Sequence, residues 1–111
     1  PKNKRLLNKP EFDYVFSKAK RVFFPEFLIL FREQNSGDAR IGLAVSKKSI
    51  QKAVDRNRCK RLVRDSFRMT DLAKVDMIFL SRKGLAKLSN SELNKKLTLA
   101  WLKLRDLQKR H

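Results

Sequence analysis

At 111 residues the chain has room for one modest hydrophobic core. Twenty-eight lysines and arginines against eleven aspartates and glutamates leave a formal charge of +17, and 41% apolar residues with three glycines and three prolines argue against disorder throughout. No apolar run approaches the roughly 20 residues that span a bilayer, one cysteine (Cys59) excludes an internal disulfide or a cysteine zinc cluster, and the lone His111 cannot build a metal site or catalytic dyad by itself. The expectation is a single domain over residues 1–111, cytoplasmic, with no membrane association and a polyanion as partner.

A first helix is expected from Asn8, a good N-cap, with Glu11 three residues on and Pro10 tolerated in the first turn. Phe12, Val15, Phe16 and Ala19 then form one apolar stripe. A short extra strand is expected at Val22-Phe23-Phe24, and Pro25 breaks the chain before the next element. Glu26 to Glu33 encloses an unbroken apolar run, Phe27 to Phe31, which predicts a strand covered on both faces. Asn35-Ser36-Gly37-Asp38 is turn chemistry and predicts a hairpin into a strand from Arg40 to Ser46. In that strand Ile41, Leu43 and Val45 share one face. Gly42, Ala44 and Ser46 share the other, where small side chains admit a helix or a ligand. A helix follows from about Ile50 to Met69, then a strand from Asp76 to Ser81. Ser89 and Glu92 form a capping box opening a last helix with Leu93, Leu97, Ala100, Trp101 and Leu104 on its apolar face. A strand, a long helix and another strand make a βαβ crossover. The fold class is α+β, a small α/β sandwich on a mixed central sheet, in the order α-β-β-α-β-α plus the extra strand.

The central helix carries the most specific signal. At about 100° per residue, Arg56, Asn57, Lys60, Arg61, Arg64 and Arg68 share roughly 140° of the circle along about 18 Å of helix. Val54, Cys59, Leu62 and Val63 occupy the rest, with Phe67 at the border and Arg58 as the exception. Solvated helix faces usually alternate sign at i, i+4, whereas Arg56, Lys60, Arg64 and Arg68 repeat one sign at a cost of a few tenths of a kcal/mol each time. Arginine forks in such a row suit phosphates. The pattern predicts contact with nucleic acid or another polyanion.

Arg56-Asn57-Arg58, flanked by Ala53-Val54 and Lys60-Arg61-Leu62-Val63-Arg64, resembles the RNR signature of the bacterial ribonuclease P protein subunit. The likeness extends to Arg5-Leu6, to Phe12-Asp13-Tyr14-Val15-Phe16, to Arg40 through Lys48, and to Ser81-Arg82-Lys83-Gly84. It implies a fold like the second domain of ribosomal protein S5, with a left-handed βαβ crossover. It also implies pairing with the catalytic ribonuclease P RNA, in a complex that removes the 5′ leader from precursor tRNA. The RNA and its Mg2+ would do the chemistry. No nucleophile–base pair or carboxylate pair is recognisable in the chain, no catalytic or metal-ligating residue is assigned, and no obligate protein partner is evident.

By the same resemblance Lys52, Arg56, Asn57, Arg58, Lys60, Arg61, Arg64 and Arg68 are candidates for contact with the catalytic RNA. Phe12, Phe16, Phe31, Ser46, Lys47, Lys48 and Arg82 are candidates for the leader, since single strands are held by stacking in a basic groove. Alternatives stand beside these. Arg58 could be a structural cation on backbone carbonyls, Asn57 a cap, and Lys47 and Lys48 ordinary exposed lysines. Phe12 and Phe16 at i, i+4 also suit a core. The family's aromatic on the following strand falls at Leu30 or Phe31, and Leu30 would forfeit stacking there. Gln51-Lys52 stands where the family frequently has Gly-Asn. Cys59 and Trp101 read as core. The competing function is a ribosomal-protein-like structural RNA-binding module with no role in processing.

Overall fold

The structure is a computed structural model that describes residues 9–108, without the side chains of residues 11, 12, 35, 36 and 73. The Asn8–Glu11 cap and the Arg5-Leu6 segment lie outside the described residues. In chain order the elements are α1 (Lys9–Ser17), β1 (Lys20–Phe24), β2 (Phe27–Asp38), β3 (Arg40–Ala44), α2 (Ala53–Met69), β4 (Ala73–Ser81), a 3-10 turn (Leu85–Lys87) and α3 (Asn90–Gln108). The sheet order is β1-β2-β4-β3, with β1/β2 and β2/β4 antiparallel and β3/β4 parallel. This is the mixed α+β sandwich expected, and the extra strand is β1.

The hairpin expected at residues 35–38 is corrected. β2 and β3 are not neighbours, because β4 lies between them. The turn residues instead fall in an irregularity of β2 between Glu33 and Asp38, closed by the Gln34 amide donating to the Asp38 carbonyl at 2.9 Å. The physical reason lies in β4, which is apolar on both faces: Val75, Met77, Ile78 and Phe79 are all fully buried. Such a strand belongs at the centre of a sheet. The hairpin that does form joins β1 to β2 through Pro25 and Glu26, with Phe24 paired to Phe27.

The sheet has two unlike faces. On the first, Val22, Phe24, Phe27, Ile29, Phe31, Ile41, Met77 and Phe79 meet Cys59, Val63 and Phe67 of α2 and Leu93, Leu97, Ala100, Trp101 and Leu104 of α3 in one large core. Each fully buried Val, Leu, Ile, Phe or Met among them contributes about 1.5–3 kcal/mol. The Phe67 and Trp101 rings meet edge-on at 6.0 Å, and the indole N–H donates to the Ser66 hydroxyl at 2.8 Å. Ser89 and Glu92 cap α3 reciprocally, at 3.0 Å and 2.8 Å, as the capping box requires.

Among the described residues, α1 is the element that covers the second face. Val15 packs there on Leu30 and Ile78, with Ala19, Leu28, Ala44 and Leu80 partly buried around them. The small side chain of Ala44 does admit a helix, α1. Above this cluster Arg32 lies 3.7 Å over the Tyr14 ring and donates to the Tyr14 carbonyl and the Ser17 hydroxyl, both at 2.9 Å. These contacts tie the end of α1 to β2. Asp76, paired with Arg32 in register, is buried and held by Arg40 through a two-point ion pair at 2.9 Å and 2.7 Å.

Candidate nucleic-acid interface

α2 is oriented by its apolar spacing: Cys59, Val63 and Phe67, four residues apart, point into the core. The opposite side therefore faces solvent. Asn57, Arg61, Arg64 and Arg68 are exposed along it, a stripe that rises about 16 Å at 1.5 Å per residue. Lys60 is half-buried beside it, and Lys52 is exposed at the N-cap position. Arg68 forms an ion pair with Asp65 one turn back. No described ion pair involves Arg61 or Arg64, so the middle of the stripe keeps its positive field. Val54, grouped with the apolar set by the wheel, is 71% exposed, because it lies in the first turn, ahead of the first covered position.

Two arginines of the signature turn inward. Arg56 donates through Nη1 to the carbonyls of Ile50 and Gln51, at 3.0 Å and 2.8 Å. Lys52 at the N-cap supplies no side-chain cap, and the helix begins at Ala53 rather than Ile50. Arg56 thus fastens the entry to α2. Arg58, the exception on the wheel, donates to the Ala86 and Leu88 carbonyls at 3.0 Å and 3.4 Å and to the Asn90 side chain at 2.7 Å. It takes the structural arrangement and binds α2 to the start of α3. Asn57 makes no described cap contact.

The leader candidates divide differently. Phe16 is 50% exposed on α1. The Phe12 side chain lies outside the described residues. Phe31 is corrected: it is fully buried on the α2/α3 face and cannot stack on a base. Alternation along β2 puts Leu30, not Phe31, on the α1 side. Ser46, Lys47 and Lys48 lie exposed after β3, and Arg82 lies exposed after β4. The parallel pairing of β3 with β4 brings these loops together. The Ser46 N–H donates to the Ser81 hydroxyl at 3.0 Å, and the Ser49 hydroxyl bonds both Ser46 and Ser81. Beside this hydroxyl cluster a shallow cleft is lined by Lys48, Arg82 and Lys83. Ser49 went unmarked in sequence, and Ser81 and Lys83 were part of the likeness without being site candidates, because only the strand pairing assembles them.

The arrangement can bind phosphates at two places joined by residues 45–52. Burial pushes the Cys59 thiol up from its ordinary value, and the residue is a small core hydrophobe. Among the described residues no three of His, Cys, Asp and Glu come together to hold a metal. No described helix is long and apolar enough to cross a membrane.

Comparison with known proteins agrees with this geometry. The ribonuclease P family profile matches residues 1–105. The ribonuclease P protein component of Legionella pneumophila (strain Paris) is 55% identical over 103 residues, covering 93% of this chain and 90% of that protein. The component from Marinomonas sp. is 45% identical over 104 residues, covering 91% and 79%. The solved RNase P protein of Thermotoga maritima superposes with a TM-score of 0.74 at 28% identity, over 86% of this chain and 92% of that one. The Staphylococcus aureus protein, 24% identical, shares the fold with a TM-score of 0.80 over 91% and 94%. With nearly the whole length matched in both sequence and fold, the chain belongs to the ribonuclease P protein family.

Proposed function

We propose that this chain binds the catalytic RNA of ribonuclease P through the exposed stripe of α2, and the 5′ leader of precursor tRNA on the α1 side of its sheet. The observation that carries the reading is the solvent-facing row of Asn57 with the like-charged Arg61, Arg64 and Arg68 at helical spacing, Arg61 and Arg64 being free of any described ion pair. A row of this kind is unfavourable in a free monomer and favourable against phosphates. Family membership sets aside the ribosomal-module alternative.

In this reading the protein performs no bond chemistry. Hydrolysis of the phosphodiester belongs to the RNA and its Mg2+. The protein contributes positive charge that lowers RNA–RNA repulsion, and a surface that retains the leader. Lys52 and Lys60 add to the field at the flanks of the stripe. Arg56 and Arg58 set the stripe's position from inside. Ser46, Lys47, Lys48 and Arg82 hold leader phosphates where the loops after β3 and β4 meet, and Phe16 offers a ring at the α1 wall.

The test is leader cleavage at low Mg2+. Ribonuclease P RNA and precursor tRNA are mixed with and without the folded protein, where RNA-only activity is weak. The expected result is a marked gain in 5′-leader removal with the protein present. No gain, with binding to the RNA confirmed, would overturn the proposal.

A further inference from the structure

Phe23 is the most exposed phenylalanine described, at 58%. Its neighbours in β1, Val22 and Phe24, are buried in the large core, so alternation places Phe23 on the opposite, α1 side of the sheet. There it pairs in register with Leu28, which pairs with Leu80, which pairs with Ala44. These four side chains form a row about 14 Å long across three strand spacings. Leu28, Leu80 and Ala44 are only partly covered by α1.

The row is bounded by cations. The Arg82 guanidinium sits 5.1 Å over the Phe23 ring and also lines the cleft with Lys48 and Lys83. Arg21 lies on the same side of β1 as Phe23 and is exposed. A large apolar ring on an edge strand is a liability for a free protein. An apolar floor carrying an aromatic ring with guanidinium and ammonium groups at its margin suits single-stranded nucleic acid, whose bases stack while its phosphates pair. The geometry also answers the loss of an aromatic at Leu30: Phe23 stands diagonally across the β1/β2 pair from that position.

We infer that Phe23 is a base-stacking platform for the leader strand, with Arg82 holding the adjoining phosphate, so that the leader site extends across the sheet to its β1 edge. This rests on the leader-binding reading above. The test uses holoenzyme reconstituted with ribonuclease P RNA and compares precursor tRNA with leaderless tRNA. Phe23→Leu keeps an apolar side chain and removes the ring. It is expected to weaken precursor binding by roughly fivefold to a hundredfold, the range for one lost base–aromatic stack, with leaderless tRNA unaffected. Phe23→Tyr should restore binding. In wild type, a precursor abasic at one leader position should bind as weakly as the intact precursor binds to Phe23→Leu.

Phe23→Leu binding the precursor like wild type, while Phe16→Ala weakens it, would overturn the inference and leave the leader reading standing. Equal losses on both RNAs would also overturn it. If wild type itself does not distinguish precursor from leaderless tRNA, the leader reading falls and this inference with it.

Discussion

The two faces of the sheet use the same kinds of residue to opposite ends. On the α2/α3 face the phenylalanines at 24, 27, 31, 67 and 79 are buried, and the Phe24–Phe27 and Phe27–Phe79 ring pairs stack at 4.7 Å and 4.9 Å. On the α1 side Phe16 and Phe23 are left half-exposed, and the buried cluster there is a small one built on Val15, Leu30 and Ile78. One face supplies the stability that lets the other remain incomplete. In a chain of this charge, an incomplete apolar face ringed by cations is better suited to RNA than to solvent.

The largest expected effect breaks that comparison if it fails. Phe31→Ala should cost about 3–5 kcal/mol of folding stability by opening a cavity in the large core. Phe16→Ala should cost well under that and should instead lower affinity for precursor relative to leaderless tRNA. Denaturant titration and binding to the two RNAs measure both quantities. If Phe16→Ala were as destabilising as Phe31→Ala, the α1 face would be a second core rather than an open site.

The next contrast lies within α2. Arg58→Ala removes charge-assisted hydrogen bonds to Ala86, Leu88 and Asn90, and about 1.5–3 kcal/mol of stability should go with them. Arg64→Ala touches no described partner and should change stability by less than about 0.5 kcal/mol. It should instead make the log–log salt dependence of catalytic-RNA affinity shallower by roughly 0.7–0.9, the value of one phosphate contact. If Arg58→Ala shifted the salt slope and spared stability, its role in the RNA interface would outweigh its role in the fold.

What was legible in sequence was what is local. The α2 stripe, the Ser89–Glu92 box and the buried row Leu93, Leu97, Ala100, Trp101 and Leu104 repeat at helical spacing and need no partner to be read. Strand order was not legible, because the neighbour of both β2 and β3 comes more than 30 residues later in the chain. Phe31 and Leu30 could not be told apart because the run Phe27 to Phe31 is apolar at every position, so no alternation marks its faces. Phe23 was legible as part of a short strand but not as a site candidate, for the same reason: it becomes an outward residue only once Val22 and Phe24 pair inward. The helical wheel treated α2 as an isolated cylinder, so it could flag Arg58 as misplaced without naming the carbonyls that receive it.

The smallest effect concerns the element that closes the packed face. The Ser89 N–H, hydrogen-bonded to the Glu92 carboxylate, is the main reason that carboxyl lies below its ordinary value of 4.5, with Lys96 and Lys95 adding to the shift. Above 4.5 the group is ionised whether the chain is folded or not, and its contribution to stability is present in full. As pH falls through the lower folded value, the folded chain must protonate a bonded carboxylate and the contribution disappears. Glu92→Gln keeps an acceptor that does not titrate. The stability difference between wild type and Glu92→Gln should therefore be flat around neutrality and shrink below 4.5, as followed by thermal unfolding across the acid range. A difference constant with pH would mean that the carboxylate is not bonded in solution. At neutral pH, discrimination between precursor and leaderless tRNA should be the same in both proteins, because this cap helps close the packed face and carries none of the side chains assigned to RNA.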